Sequence, residues 1–241
     1  AYAKWFAGEG YHLIITGRRK EVIERRADEI RNTYGCKVIV ILADLAEETG
    51  VSELLNQLEG KAIDVLVNNA GFGIFGSFAE IDLQRELKML RVNIEAVDIL
   101  TKLYLQDFKK KNSGMILNVA SSAAFLPGPL LSSYYASKAY VLRLSEAIHE
   151  ELRREKSGVS ISVLCPGPVR TEFDATANVQ FSVKGLESGY VARYALEKTL
   201  RKKLVIVPGL QMKAAHVIER VLPDKLLLRA AFHMQKRKQG K

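Results

Sequence analysis

The sequence predicts a doubly wound α/β fold on a mostly parallel sheet, and three observations predict it. Short Val- and Ile-rich runs alternate with helical patterns along the chain, the signature of βαβ units with right-handed crossovers. Polar or glycine residues punctuate the ends of five of these runs, on the edge where such folds bind ligands. The 241 residues are 48% hydrophobic and 26% charged, which suits one globular domain with a substantial core. No apolar run approaches the roughly 18 residues of a membrane helix.

In chain order, strand Tyr11–Ile15 runs into Thr16-Gly17-Arg18-Arg19, and strand Lys37–Leu42 into Asp44-Leu45. Strand Ile63–Asn68 ends in Asn68-Asn69-Ala70-Gly71, strand Gly114–Val119 in Ser121-Ser122, and strand Val159–Leu164 in Pro166-Gly167. A last strand covers Leu204–Val207. Helical patterns fall at 19–34, 47–58, 81–111, 134–156, 187–201 and 212–234. The segment 172–186 has no period and is assigned to the substrate entrance, as long irregular loops often act as lids. Residues 1–208 read as the ligand-binding and catalytic domain, and 209–241 as a basic helical extension.

A dinucleotide fold needs a glycine-rich turn opening a helix, so that backbone N–H groups and the helix dipole hold a pyrophosphate. Gly71-Phe72-Gly73-Ile74-Phe75-Gly76 matches that spacing after a strand. It is rejected because the helical period starts only near Asp82, its variable positions are bulky, and no acid ends a strand about 20 residues on. Residues Ala1–Gly10 look like the later turns of a helix. The first strand and glycine-rich turn are therefore missing from the chain, which is expected to start partway into the natural protein or to lack preceding residues.

Tyr134 and Lys138 lie four apart, with Ser121 thirteen residues before the tyrosine and Asn93 further upstream. Positions i and i+4 share a helix face, so phenol and ammonium can enter one cleft. The ammonium is expected to lower the tyrosine pKa, as a general acid/base near neutral pH requires. The Ser121 hydroxyl could hold a substrate oxygen beside the phenol. Spacing alone decides little: Tyr194 and Lys198 share it, with Phe181 where a hydroxyl would be needed, and there a snorkelling surface lysine is the better reading.

Other chemistries are excluded more briefly. Cys36 and Cys165 show no metal or redox spacing, and the apolar run Ile161–Cys165 makes Cys165 a core residue. His12, His149, His216 and His233 are scattered, so no metal site is expected. No G-x-S-x-G elbow occurs and no histidine is placed to activate Ser121, which argues against a serine hydrolase. The net charge is +9, with eight Lys or Arg and two acids between Lys213 and Lys241. No helix-turn-helix, aromatic platform or zinc-finger spacing accompanies it, so no nucleic-acid partner is expected. The basic tail reads as a terminal helix docked by its leucines, in preference to a peripheral membrane helix.

The combination of Asn68-Asn69-Ala70-Gly71, Asn93 in Val92-Asn93-Ile94, Ser121, Tyr134-x-x-x-Lys138, and Pro166-Gly167 followed by Thr171 closely resembles the short-chain dehydrogenase/reductase family. The resemblance implies a Rossmann-like domain in which Tyr134 exchanges a proton with the substrate oxygen as hydride is transferred. It implies that Lys138 lowers the tyrosine pKa and holds the nicotinamide ribose, that Ser121 orients the carbonyl, and that Asn93 interrupts its helix to hold a water in a proton relay. Pro166, Gly167 and Thr171 would surround the nicotinamide carboxamide, with Val169 beside them. Asn69, Ala70 and Gly71 would line the adenosine, with Asp44 and Leu45 at the adenine. A ribose 2′-OH is commonly held by an acid after the second strand, whereas here the chain places Arg18 and Arg19. Two guanidinium forks suit a 2′-phosphate, so NADP(H) is expected over NAD(H).

Val207-Pro208-Gly209-Leu210 followed by a basic-apolar helix resembles reductases grouped with long-chain 3-ketoacyl and hydroxysteroid enzymes, which implies a lipophilic carbonyl or alcohol substrate. The family further implies a homodimer or homotetramer through helices 81–111 and 134–156, and a cytoplasmic location is expected. The rival reading is a catalytically quiet NAD(P)-binding sensor or scaffold. Retention of Asn93, Ser121, Tyr134 and Lys138 together argues against it.

Overall fold

The structure, a computed structural model, describes residues 1–170, 185–210, 212–214 and 223–236. It comprises two compact units, Ala1–Ala62 and Ile63–Lys241, each built on a parallel ladder. The alternation of strands and helices follows the sequence expectation.

The first unit runs α1 (Tyr2–Gly8), β1 (Leu13–Gly17), α2 (Lys20–Tyr34), β2 (Val38–Leu42) and α3 (Gly50–Leu58). Strands β1 and β2 are parallel, from Leu13 opposite Val38 to Gly17 opposite Leu42. β1 starts later than the pattern predicts because the Tyr11 N–H is taken by the Phe6 carbonyl at 3.0 Å, closing the turn after α1. α2 buries Ala27 and Ile30 against Ala7, Cys36 and Val38. It stops at Gly35, whose φ of 67° provides the left-handed cap that disfavours a side chain.

The second unit carries β3 (Val65–Asn68), β4 (Met115–Val119), β5 (Ser160–Leu164) and β6 (Val205–Ile206), parallel and in that spatial order. All five residues of β5 are buried, which is why it reads as a continuous apolar-small run without alternation. α6 (Ser132–Arg154) and α5 (Ala96–Lys110) pack on β4 and β5 through Phe108, Ile116, Ile148, Leu152 and Ile161. Val141, Leu142, Val163 and Cys165 form a neighbouring cluster, so Cys165 is a core residue as expected. α7 (Ser188–Leu200) and α8 (Asp224–Lys236) complete the described elements.

Two differences from the sequence reading bear on the site. The predicted helix 81–111 is two helices, α4 (Leu83–Leu90) and α5, joined by a π-helical turn at Arg91–Glu95. In the tail, the described part of the predicted helix 212–234 is residues 212–214 and α8, which opens directly after Pro223. Contrary to expectation α8 docks by Ala231 and Gln235, 5% and 1% exposed, while Leu226 and Leu228 are exposed. A small and a polar residue occupy inward positions one turn apart, so Leu226 and Leu228 point elsewhere.

A buried polar chain ties β3, β4, α5 and α6 together. Asn68 Nδ2 donates to Thr101 Oγ1 at 3.0 Å and to Asn118 Oδ1 at 2.9 Å, and Asn118 Nδ2 donates to Ser145 Oγ at 3.1 Å. Asn68, Thr101, Asn118 and Ser145 are all buried, so each amide removed strands its partners in a medium that cannot hydrate them. Asn118→Leu is expected to lower the unfolding free energy by roughly 1–3 kcal/mol, measured by urea denaturation. Ser145→Ala should cost less, because the Ser145 hydroxyl also donates to the Val141 carbonyl at 2.7 Å and that bond disappears with its own donor.

Candidate active site

The second unit brings Asn93, Ser121, Tyr134 and Lys138 together. Each is positioned by a different piece of backbone. Ser121 follows β4 in extended conformation, caps a short 3-10 turn at Ser122–Phe125, and accepts from the Ala123 N–H at 3.1 Å. Its neighbours lock it to the end of β5, Ala120 N–H donating to the Leu164 carbonyl at 2.8 Å and Ser122 N–H to the Pro166 carbonyl at 2.8 Å. Tyr134 and Lys138 stand one turn apart on α6, and the phenol hydrogen-bonds Ser121. The Lys138 ammonium donates to the Val119 carbonyl at the end of β4, at 3.1 Å, and lies 5.9 Å from the Tyr134 ring centroid.

Asn93 occupies the π-helical turn and is fully buried. An added residue in the helix rotates its side chain inward, as single π turns do at functional sites. Its amide clamps both polar groups of Phe72: Oδ1 accepts from the Phe72 N–H at 3.1 Å and Nδ2 donates to the Phe72 carbonyl at 2.9 Å. Nδ2 also donates to Ser137 Oγ at 3.0 Å, and Ser137 in turn to the Tyr134 carbonyl at 2.7 Å. Ser137 was missed by sequence reasoning; its place between tyrosine and lysine is the signal that could have found it.

Gly71 lies tightly against this group. A Cβ there would stand 3.0 Å from Lys138 Nζ and 3.1 Å from Asn93 Oδ1, tight enough that one of them must give. Asn69, Ala70 and Gly71 are exposed beyond β3, leaving their backbone open to a ligand. The run Gly71–Gly76 opens no helix, and Ile74 is instead buried with Met89, Ala123, Leu131 and Tyr134. Gly167 packs on Met212, and Val169 pairs with Leu186 in a single parallel bridge. Thr171 and most of the segment 172–186 lie outside the described residues. In the first unit, Arg18 Nη1 pairs with Asp44 Oδ2 at 3.5 Å, and Asp44 Oδ1 accepts from the Ala46 N–H at 3.0 Å. Arg19 stands at the start of α2, and Leu45 is half-buried beside Asp44.

Electrostatics departs from expectation. Burial pushes the Tyr134 phenol well above its ordinary value, the Ser121 hydrogen bond opposes this, and Tyr135 adds a smaller upward push. In the protein alone the neighbouring lysine does not reverse that cost. Burial also brings Lys138 down from 10.5 to about 8. The resting pair is therefore a proton-loaded phenol beside a weakly held ammonium, poised to donate.

The family model described as short chain dehydrogenase matches residues 1–180. The chain belongs to the short-chain dehydrogenase family. Over 188 residues it is 35% identical to a very-long-chain 3-oxoacyl-CoA reductase of Anas platyrhynchos, covering 75% of this chain and 59% of that one. It is 34% identical to a 17-beta-hydroxysteroid dehydrogenase type 3 of Mus musculus over 173 residues, 71% of this chain and 56% of the relative. It thus spans under two thirds of the length of these curated relatives. Among solved structures, a short-chain dehydrogenase from Sphingobium yanoikuyae in complex with NADPH superimposes with a TM-score of 0.81 and 27% identity, covering 92% of this chain and 91% of that one.

Two predictions follow from this geometry. Gly71→Val should lower turnover strongly while leaving the far-UV circular dichroism unchanged, since the added side chain presses on Lys138 and Asn93. Lys138→Met should raise the unfolding free energy of the ligand-free protein at pH 7 by roughly 1–3 kcal/mol, because a buried cation is costlier than an apolar isostere. The unfolded chain binds the Lys138 proton more tightly than the folded one. The wild-type penalty is therefore complete below about pH 8 and fades toward 10.5, and the variant's advantage should shrink over that window in denaturant titrations.

Proposed function

We propose that the chain is an NADP(H)-dependent oxidoreductase interconverting a lipophilic ketone and a secondary alcohol. The observation that carries this is the buried Tyr134 phenol, hydrogen-bonded to Ser121 and one helical turn from a buried Lys138. In the reductive direction, Ser121 orients the carbonyl and Tyr134 gives its proton to the carbonyl oxygen as hydride reaches the carbon. NADPH, when bound, supplies that hydride. The phenolate left behind is stabilised by the Lys138 ammonium, whose own pKa rises as negative charge forms beside it. Asn93 holds Phe72 and Ser137 in place around the pair. The reverse sequence oxidises the alcohol.

The donor set suits the cofactor. Lys138 supplies an ammonium at the end of β4, and Asn69–Gly71 an open backbone after β3. Arg18 and Arg19 follow β1, and the Arg18–Asp44 pair is solvent-exposed on its arginine side, 62% against 35%. Such a pair is worth little, so a 2′-phosphate dianion can compete for the guanidinium. The names of the relatives, a 3-oxoacyl-CoA reductase and a hydroxysteroid dehydrogenase, support a lipophilic carbonyl. We further infer a homodimer or homotetramer through α5 and α6, where Leu103 and Tyr140 are exposed at 37% and 39%.

Titration with NADPH and NADH, followed by cofactor fluorescence, is expected to give clearly tighter binding of NADPH; equal affinities would remove the role given to Arg18 and Arg19. Tyr134→Phe should lower kcat by about 10²–10⁴-fold with the NADPH Kd unchanged. Turnover surviving in that variant would point to a different acid/base.

A further inference from the structure

α8 is mostly a surface helix, with Leu226, Leu228 and Phe232 exposed at 54%, 44% and 42%. Its inward face carries Leu227, Ala231 and Gln235, at i, i+4 and i+8. Gln235 is buried to 1% exposure in a position where Leu or Met would pack without polar cost. Its Nε2 donates to the Tyr135 hydroxyl. Its Oε1 is buried and has no hydrogen-bond partner among the described residues. Whichever way the amide is turned, one phenol serves only one of its two ends, so the other is left for something else. Buried polar groups are ordinarily paired, and one left over beside the acid/base residue's neighbour invites a partner.

Its surroundings say which ligand. Tyr135 follows the acid/base residue in sequence, and the two rings meet edge-on at 6.0 Å. Tyr135 packs with Ile74, Met89, Ala123 and Leu131 in the same apolar cluster as Tyr134. Its ring is fixed from behind, since a Cβ on Gly128 would fall 2.2 Å from it. A carbonyl held at Ser121 and Tyr134 therefore has an apolar wall beside it, and Tyr135 leads along that wall to a single buried amide.

We propose that Gln235 is a specificity-determining residue, its amide oxygen accepting a hydrogen bond from a hydroxyl that a lipophilic ketone carries remote from its reacting carbonyl. This rests on the ketone-reductase reading above. It makes the preferred substrate an apolar body with polar groups at two ends, and it makes α8 part of the substrate site rather than an appendage. Tyr135 acts as the positioning residue, holding the amide in place.

The test uses the full chain, NADPH, and a saturated steroid ketone with and without a hydroxyl on the ring remote from the carbonyl. Wild type should favour the hydroxylated ketone in kcat/KM by about tenfold, the factor that one neutral hydrogen bond of ordinary net strength supplies. Gln235→Met should erase that preference while leaving the plain ketone within about threefold, because a thioether packs but cannot accept comparably. Tyr135→Phe removes the hydroxyl that holds the amide in place and should reduce the preference partway, with the plain ketone again within about threefold. The proposal is overturned if wild type shows no preference, if Gln235→Met retains it, or if Gln235→Met depresses both ketones equally, which is the mark of a helix-docking role alone. If wild type binds NADPH but reduces neither ketone, the ketone-reductase reading itself fails. That outcome is distinct from turnover without discrimination, which removes only the role of Gln235.

Discussion

Lys138 is a buried ammonium without a carboxylate partner among the described residues, and the surrounding structure is arranged around that constraint. Withdrawing such a charge from water is expensive, and one backbone carbonyl, that of Val119 at 3.1 Å, cannot replace a full hydration shell. The chain accepts the cost instead of neutralising it with an acid. A carboxylate there would hold the ammonium permanently and leave nothing for the phenol. With the site as it is, the anion nearest to hand for Lys138 is the one Tyr134 would leave on giving up its proton. Burial makes each of the two groups resist ionisation in the protein alone.

Such coupling works only if neither group can move away. Gly71 sets no side chain against the ammonium, where even a Cβ would press on it at 3.0 Å, and Asn93 pins the Phe72 backbone immediately after it. An ordinary α-helix through 81–111 would carry residue 93 past this point on a different face. The π turn at Arg91–Glu95 gives up regular hydrogen bonding to rotate one amide inward. Three bonds from that amide recover the loss, and through Ser137 they reach the Tyr134 carbonyl. The irregularity in the helix and the rigidity of the acid/base are thus one arrangement.

Strand–helix alternation and strand-end polarity made the fold legible, because β5 and its neighbours are buried runs bounded by turn chemistry. The residues of the acid/base group were legible from spacing, and the structure brings them together. Contacts governed by tertiary packing were not. The π turn at Asn93 leaves no mark in a periodicity measured over thirty residues. The inward turn of α8 misled in another way: hydropathy assigned the docked face to the run Leu226–Leu228, of which Leu226 and Leu228 are exposed. The small Ala231 and the amide Gln235 take it instead, because what α8 meets is the hydroxyl of Tyr135. The direction of the Tyr134 pKa was misread for the same reason, since burial is invisible to spacing.

The chain supplies its own comparison for that last point. Lys198 Nζ stands 5.5 Å from the Tyr194 ring centroid and Lys138 Nζ 5.9 Å from that of Tyr134, so helical spacing gives both pairs nearly the same geometry. Yet Tyr194 is only half-buried on α7, a second ammonium from Lys213 sits 5.8 Å from the same ring, and Tyr190 stacks alongside. There water screens the charges and hydrates the phenol, and the cation–π contact is worth little at an exposed site. At Tyr134 water is excluded and a serine hydroxyl reaches the phenol. What separates the two pairs is therefore not the Tyr-x-x-x-Lys spacing. It is the burial that makes each protonation state expensive enough for a neighbouring charge to control.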